Sequence, residues 1–282
     1  MAKQRRSKKT NQTENKLIYI PFAVLVAIIV LLVSLPYIHS PSSNSSTVAN
    51  ADTPFFNMMK VSNVNYAKNN TVQVYFITWY GCPNGATTSW PLYLALRNFG
   101  NVVVEPHYSV NEPDLGGPIP GLLFLNYTPT PSKYSIIVYF HPIYIYGQYL
   151  NETINGTPIT TNAVLYGLKE LKTLVPEWVY NLTVFYELNQ TPPKLDQPIA
   201  YAGNPPHLVT ILIISGPGGT WVDVGYPNNI SPNNLVYLNA TELYNIVVKN
   251  QIASGDYAYA YKAILNAYKV VLNAIEQAEL KY

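Results

Sequence analysis

The stretch TVQVYFITWYGCPNGATTSWPLYLALRNFG, residues 71–100, contains the succession of elements that decides the fold. Its first part, residues 71–79, is a short run of β-branched and aromatic residues between Asn-Asn and Gly-Cys-Pro, which predicts a buried strand. After the turn at 81–85, apolar residues recur at near-helical spacing as far as Phe99. Because Gly100 is a typical helix stop, this second part predicts a helix.

The residues that follow extend the pattern to strand, helix, strand. Asn101 to Val110 (NVVVEPHYSV) is again strand-like, and we expect it to lie parallel to the first strand after a right-handed crossover. Beyond it come two further strand-like runs and then a helical pattern at 161–185, which Pro176 interrupts. We interpret residues 111–204, approximately, as an insertion of strands and helices.

The last part of the chain predicts a hairpin and two helices. Leu208 to Ser215 and Thr220 to Gly225 flank Gly-Pro-Gly-Gly, which suits a hairpin turn and not a phosphate loop, since no Lys-Ser/Thr follows. Residues 240–250 form a helical pattern that Asn239 would cap, and 257–281 carry one apolar stripe. The fold class predicted from these elements is α/β, with a mixed sheet.

The N-terminal part predicts a membrane anchor. Residues 17–35 are nineteen residues without a charge, close to the roughly 20 that cross a bilayer as a helix. We therefore predict a cytoplasmic basic tail at 1–16 and a transmembrane helix at 17–38. Because no Lys or Arg follows until Lys60, the protein is expected to be single-pass in the cell membrane, with its main domain extracytoplasmic.

A cleaved signal peptide is the alternative to an anchor. Ala49-Asn50-Ala51 resembles a cleavage site, but the apolar stretch is longer than a usual signal-peptide core and the site lies far downstream. Residues 39–54 are rich in Ser, Asn and Pro, which predicts a flexible stalk. The folded extracytoplasmic domain is expected at 55–282.

Charge and cysteine content exclude several classes of protein. Of 17 Lys and Arg against 15 Asp and Glu, six basic residues and Glu14 fall in the first sixteen positions, so those carry +5 and the rest −3 of the net +2. No basic face is left for nucleic acid. A single cysteine excludes an intramolecular disulfide and a thiolate-rich zinc site. We expect no cofactor.

Sequons for N-glycosylation are frequent in the part expected outside the membrane. Each one alone is a weak signal, because a chain rich in Asn and Thr produces such triplets by chance. We expect several of them to be modified. The candidate acceptors are Asn44, Asn69, Asn126, Asn151, Asn155, Asn181, Asn189, Asn229 and Asn239.

Two motifs carry a resemblance to the thioredoxin superfamily. WYGCPNG, residues 79–85, stands where that superfamily has Cys-x-x-Cys, and Pro-Pro-His-Leu, residues 205–208, stands where a cis-proline precedes a hairpin. The resemblance covers about half of the outer domain. It implies a thioredoxin-like sheet with an inserted region, Pro206 as the cis residue, and Pro83 and Pro206 as residues bordering a partner.

The chain also resembles, over nearly its full length, a family of membrane-anchored proteins of thermoacidophilic archaea that is a domain of unknown function. The WYGCPNGA turn, the following SW-x-LYLAL helix and the single N-terminal span carry this resemblance. It implies a location and no reaction.

Cys82 is the candidate for chemistry. A thiol at a helix N-terminus is stabilised as thiolate, which is the nucleophilic form. Gly85 occupies the position of the second motif cysteine, so only a monothiol scheme remains, with a protein thiol or disulfide as partner and His207 as a helper of ionisation.

The opposing interpretation is that Cys82 is a small buried side chain in a turn that lost its redox partner. On this reading the fold serves as a non-catalytic binding or cell-surface module, with another surface protein as an expected partner. We expect this function; the alternative is a monothiol disulfide oxidoreductase or isomerase.

Other candidate sites have less support. His107, His141 and His207, with Cys82 or Glu105, lack the local spacing of a metal site, and we expect no metal. A set of tyrosines around the fourth predicted strand suits a half-buried sheet face, or alternatively an exposed aromatic surface for glycan or protein contact. These are Tyr134, Tyr139, Tyr144, Tyr146 and Tyr149.

Overall fold

The structure is a computed structural model that describes residues 53–67 and 70–281. The predicted tail, transmembrane helix and nearly all of the stalk lie outside the described residues. Within those two ranges, no helix is both long and apolar enough to cross a membrane.

The described chain is mixed α/β, as predicted. Its seven strands are β1 (Met59–Ser62), β2 (Thr71–Thr78), β3 (Gly100–Glu112), β4 (Gly117–Pro129), β5 (Ile137–Tyr144), β6 (Ile211–Gly216) and β7 (Gly219–Val224). Its helices are α1 (Pro83–Leu96), α2 (Ala163–Leu174), α3 (Glu177–Leu188), α4 (Ile199–Ala202), α5 (Ala240–Val247) and α6 (Gly255–Glu279).

Five strands form a mixed sheet in the order β1-β7-β6-β2-β5. β2 and β5 are parallel, with Thr71 opposite Ile137 and Thr78 opposite Tyr144. The pairs β2–β6, β6–β7 and β7–β1 are antiparallel. The other two strands, β3 and β4, form a separate antiparallel hairpin.

The prediction that residues 101–110 are the parallel partner of the first strand is wrong. That segment belongs to β3 and pairs with β4, while β5, inside the segment predicted as an insertion, closes the parallel pair. The physical reason is that both runs are β-branched and aromatic, and local composition does not encode which strand a run will pair with.

Side chains alternate across the main sheet and fill two cores. Val72, Val74 and Phe76 of β2 face the core shared with α1 and α6. Tyr75 and Ile77, one position out of phase, face the core that α2 and α3 cover. Since successive strand residues point to opposite faces, one strand supplies both cores and the sheet lies between two helical layers.

The predicted local signals account for the remaining elements. The predicted break at Pro176 separates α2 from α3, and the Gly-Pro-Gly-Gly turn joins β6 to β7. The predicted cap of α5 is confirmed, since Asn239 Oδ1 accepts from the backbone amides of Thr241 and Glu242.

Candidate functional site

Three elements meet at Cys82. The residue is the N-cap of α1, immediately before Pro83. It lies beside the end of β2 and beside Thr210, the last residue before β6. Its sulfur is 3.1 Å from Thr210 Oγ1, and that hydroxyl is 2.8 Å from Thr78 Oγ1. The thiol is therefore one member of a buried network with two threonine hydroxyls.

The Cys82 thiol is buried, with 3% of the residue exposed. Burial raises the pKa of the thiol, while hydrogen bonds from Thr210, Thr78 and the backbone amides of Gly85 and Asn84 act in the opposite direction. The effect of burial is the larger one. The hydrogen bonds at the helix N-terminus stabilise the thiolate, but burial destabilises it by more, so the pKa of the thiol is raised overall.

The position of the second motif cysteine is closed by a side chain. A Cβ atom on Gly85 would lie 2.2 Å from Thr78 Oγ1 and 3.2 Å from Thr210 Oγ1. Real Cβ atoms do not approach other atoms so closely, so no larger residue fits without movement of β2 or α1. Thr78 and Thr210 are functional-site residues that sequence reasoning missed, because a threonine in a strand carries no distinctive signal.

His207 contacts a different residue from the one predicted. Its ring lies edge-on to Trp79, with centroids 5.5 Å apart, and its Nδ1–H donates to the carbonyl of Pro205 at 2.7 Å. Burial lowers the pKa of His207, which favours the neutral ring. Among the described residues, the hydrogen bonds of His207 and of Cys82 do not join the two side chains.

The cis peptide bond precedes Pro205, one residue before the predicted Pro206. Asn204-Pro205-Pro206 contains two X-Pro bonds, and both are chemically able to adopt the cis form, so the sequence does not distinguish them. Pro206 and Pro83 are half-buried, whereas Pro205 is exposed.

Buried side chains fix the segment that leads into β6. Leu208 N–H donates to Tyr146 Oη at 3.3 Å, and Val209 N–H donates to Glu187 Oε2 at 2.7 Å. Tyr146 also donates to the carbonyl of Ala163, at the start of α2. Sequence reasoning missed Glu187, which lies just beyond the predicted helical pattern at 161–185, because the helix continues to Leu188.

A cleft of about 590 Å³ opens beside this segment. Its walls come from the β3–β4 hairpin, from the residues after β5 and from the turn at Asn204. The residues that matter for its chemistry are Trp79, Asn111, Glu112, Gln148, Tyr149 and Asn204. The cleft is thus adjacent to the segment that holds Cys82, while the thiol itself is not among its lining residues.

The candidate metal ligands and the tyrosine set do not form a single site. Among the residues that the structure describes, no group of three His, Cys, Asp or Glu side chains is arranged to hold a metal ion. Of the tyrosines, Tyr146 is buried, Tyr144 is half-buried, and Tyr134, Tyr139 and Tyr149 are exposed. The expectation of a half-buried sheet face therefore holds for only part of that set.

The sequons differ in their structural setting. Asn44 and Asn69 lie outside the described residues, and the acceptor residues of the other sequons are exposed. Asn239 already caps α5, and Thr183, the hydroxyl residue of the Asn181 sequon, is buried and bonded to the carbonyl of Val179. The exposed acceptors outside helices and helix caps are Asn126, Asn151, Asn155 and Asn229, while Asn189 is the C-cap of α3.

Comparison with known proteins gives one match. No curated protein and no solved structure matches the chain significantly. A family described as "Domain of unknown function (DUF929)" matches residues 57–277, from just before β1 to the last turns of α6. This range is most of the chain and confirms the expected membership of a domain-of-unknown-function family. The chain therefore belongs to the DUF929 family.

Proposed function

We propose that this chain is a membrane-anchored extracytoplasmic protein of archaeal origin whose thioredoxin-like domain is a non-catalytic binding or cell-surface module. The observation that carries the non-catalytic part is the state of Cys82: the thiol is buried, bonded to Thr210 and has a raised pKa. Thiol exchange requires an accessible thiolate, and this site offers neither access nor charge.

The arrangement of the main sheet supports the thioredoxin-like part of the proposal. The strands β7-β6-β2-β5 contain one parallel pair, β2 and β5, followed by an antiparallel hairpin, β6 and β7. α1 begins directly after β2, and the motif residue Cys82 lies at that junction. This order of pairs is the one that the resemblance implies, with insertions before β5 and after it.

The sequence supports the proposed location. The uncharged stretch at 17–35 follows a basic tail, and loop acceptors such as Asn151 and Asn155 are exposed on the folded domain. In this proposal the domain is held outside the membrane by one N-terminal helix and carries N-linked glycans.

The monothiol alternative receives no support from the site. His207, its suggested helper, is bonded to Pro205 and packs on Trp79, and the buried thiol shares its hydrogen bonds with threonine hydroxyls. A partner disulfide cannot reach the sulfur of a residue that is only 3% exposed in this state.

Incubation of the full chain with oxidised glutathione tests the proposal, with intact mass as the readout. We expect no glutathione adduct on the folded wild type and one adduct after unfolding in guanidinium. A Tyr259→Cys variant is the positive control, because Tyr259 is 79% exposed and a thiol there should form one adduct in the folded protein. A stable adduct on Cys82 of the folded wild type would contradict the non-catalytic assignment.

A further inference from the structure

We propose that the cleft lined by Trp79, Asn111, Gln148, Tyr149 and Asn204 binds a neutral saccharide. This inference rests on the proposed function, since it names the ligand class of the binding module. The cleft encloses about 590 Å³ and is built from three separate segments of the chain. That volume lies within the usual range of about 300–1,000 Å³ for small-ligand sites.

Side-chain amides supply the polar part of the cleft. Asn111, Gln148 and Asn204 each present an amide, and an amide offers both a donor and an acceptor. A sugar hydroxyl has the same dual character, so each amide can bond a hydroxyl in either direction. Gln148 is already oriented, because its Nε2 donates to the backbone carbonyl of Tyr108 at 3.1 Å.

Aromatic rings supply the apolar part. Tyr149 is 60% exposed at the rim, and Tyr108 forms part of the wall, where its hydroxyl is bonded to the backbone amide of Ala240. A fixed ring offers a flat surface of large area at low cost in side-chain entropy. Aromatic faces next to amides match the alternating apolar and hydroxyl-bearing faces of a sugar ring.

One residue of the cleft wall carries an unpaired donor. Trp79 is 3% exposed, lines the cleft and has no acceptor for its indole N–H among the described residues. Buried donors are nearly always paired in native proteins. The nitrogen itself is shielded from solvent, so this unpaired donor is a buried feature of the wall and not a contact already open to a ligand.

Charge argues against anionic ligands. The cleft is lined by no Lys, Arg or His, and its one ionisable carboxyl belongs to Glu112. Phosphates and carboxylates are usually bound in proteins by guanidinium or ammonium groups, and because the cleft lining contains neither, an anion has no counter-charge here. A neutral ligand suits this lining better than an anionic one.

The backbone argues against an extended peptide. A peptide that adds a strand needs free backbone groups on the strand edge. Beside the cleft, those of β3 are occupied: Val110 N–H donates to the carbonyl of Gly81, Tyr108 O accepts from Gln148, and Val110 O accepts from Ser109 Oγ. A ligand in this cleft must therefore be bound by side chains, as saccharides can be.

Isothermal titration of the full chain tests the inference. The probes are maltohexaose, mannohexaose and chitohexaose, with an uncharged Ala/Ser/Asn nonapeptide for comparison, in a detergent without a sugar headgroup. We expect saturable binding of at least one hexasaccharide. Tyr149→Ala and Asn111→Ala, both at exposed positions, should each weaken the affinity about fivefold or more, the effect typical of a central contact.

Matched controls separate a cleft effect from a general one. Tyr259→Ala and Asn266→Ala remove the same side chains from exposed positions on α6, outside the cleft, and should leave the affinity unchanged. Failure of all three saccharides to bind, or binding that neither cleft variant weakens, would overturn the inference. If the nonapeptide alone binds and the cleft variants weaken it, the saccharide class is wrong and the binding module stands. The glutathione experiment judges the non-catalytic assignment separately.

Discussion

Glu187 and Asp223 are fully buried carboxyl groups at two points of the structure. Burial raises the pKa of both well above the ordinary value, and the backbone amides of Val209 and Asn57, respectively, offset this only in part. A folded state that binds a proton more tightly than the unfolded state is stabilised by acid. These two carboxyl groups therefore contribute more to the stability of the folded state at low pH than at neutral pH.

The pH dependence of stability follows from the raised pKa of these two carboxyl groups in the folded state. Below about pH 3 both carboxyl groups are protonated in the folded and the unfolded state, and their contribution to stability is fully present. As the pH rises, the unfolded state releases its protons first, and this contribution falls until the folded pKa is passed. We expect Glu187→Gln and Asp223→Asn each to reduce the loss of unfolding free energy between acid and neutral pH. The reduction should be about 1.4 kcal/mol for each pKa unit that separates the folded from the unfolded state. Chemical denaturation between about pH 3 and pH 8 measures it.

The control is Glu177→Gln, at an exposed position on the same helix as Glu187. Its stability curve should remain parallel to that of the wild type. Parallel curves for all three variants would show that neither buried carboxyl controls the acid preference.

Gly85 offers a second test at the residue scale. Gly85→Cys places a Cβ 2.2 Å from Thr78 Oγ1, and we expect it to destabilise the reduced protein by about 1–3 kcal/mol, as overpacking does. Thr78→Ala removes that oxygen, so the double variant should be less destabilised than the sum of the two single variants. Additive losses in urea denaturation would contradict the steric account of the second motif position.

At the scale of elements, Tyr146 links α2 to the segment before β6. Its hydroxyl donates to the carbonyl of Ala163 and accepts from Leu208 N–H, and Gly167 of α2 packs so tightly on it that a Cβ there would lie 2.1 Å from the oxygen. Glycine is thus required at position 167 because of the contact with the Tyr146 hydroxyl, and not because of its backbone conformation.

We expect Gly167→Ala to destabilise the protein, although alanine normally stabilises a helix interior by about 1 kcal/mol relative to glycine. Tyr146→Phe should cost about 1–3 kcal/mol because it leaves buried backbone groups unpaired. In the Tyr146→Phe background Gly167→Ala should become less harmful, since the clashing oxygen is gone. Tyr149→Phe, at an exposed ring, is the control for hydroxyl loss. A stabilising Gly167→Ala in the wild-type background would contradict the contact.

Most elements were predictable, whereas their pairing was not. Caps, prolines and glycines act locally, so Asn239, Pro176 and the turn before Gly219 marked ends that the structure confirms. The partner of β2 depends on contacts distant in sequence, and the runs that became β3 and β5 look alike. At the site, Cys82 stood out by its residue type, while its neighbours Thr78 and Thr210 became apparent only in three dimensions.

At the scale of the molecule, the main sheet has helical layers on both faces, with the β3–β4 hairpin extending the core on the α1 side. Because helices cover both faces of the sheet, only the ends of its strands and the loops remain accessible to a ligand, and the cleft opens among these loops. The proposed binding surface thus lies between the β3–β4 hairpin and the loops that follow β5 and α4, and the central sheet supports these segments.

The proposed anchor gives a prediction for the whole chain. We expect the full-length protein to remain in the membrane fraction after alkaline carbonate washing, and a variant without residues 17–38 to be released. Immunoblotting of both fractions measures the distribution. Release of the full-length, uncleaved protein would contradict the anchor, and loss of the N-terminal residues from the mature protein would favour the signal peptide.

The most direct test of the central claim is the rate at which iodoacetamide alkylates Cys82 in the folded full-length chain, followed as a function of pH. The buried thiol and its raised pKa predict no measurable alkylation below about pH 9 and complete reaction after unfolding, since the thiolate is the reactive form. Rapid alkylation of the folded protein, with an apparent pKa well below the ordinary value of about 8.5, would contradict the claim that this site has no thiol chemistry.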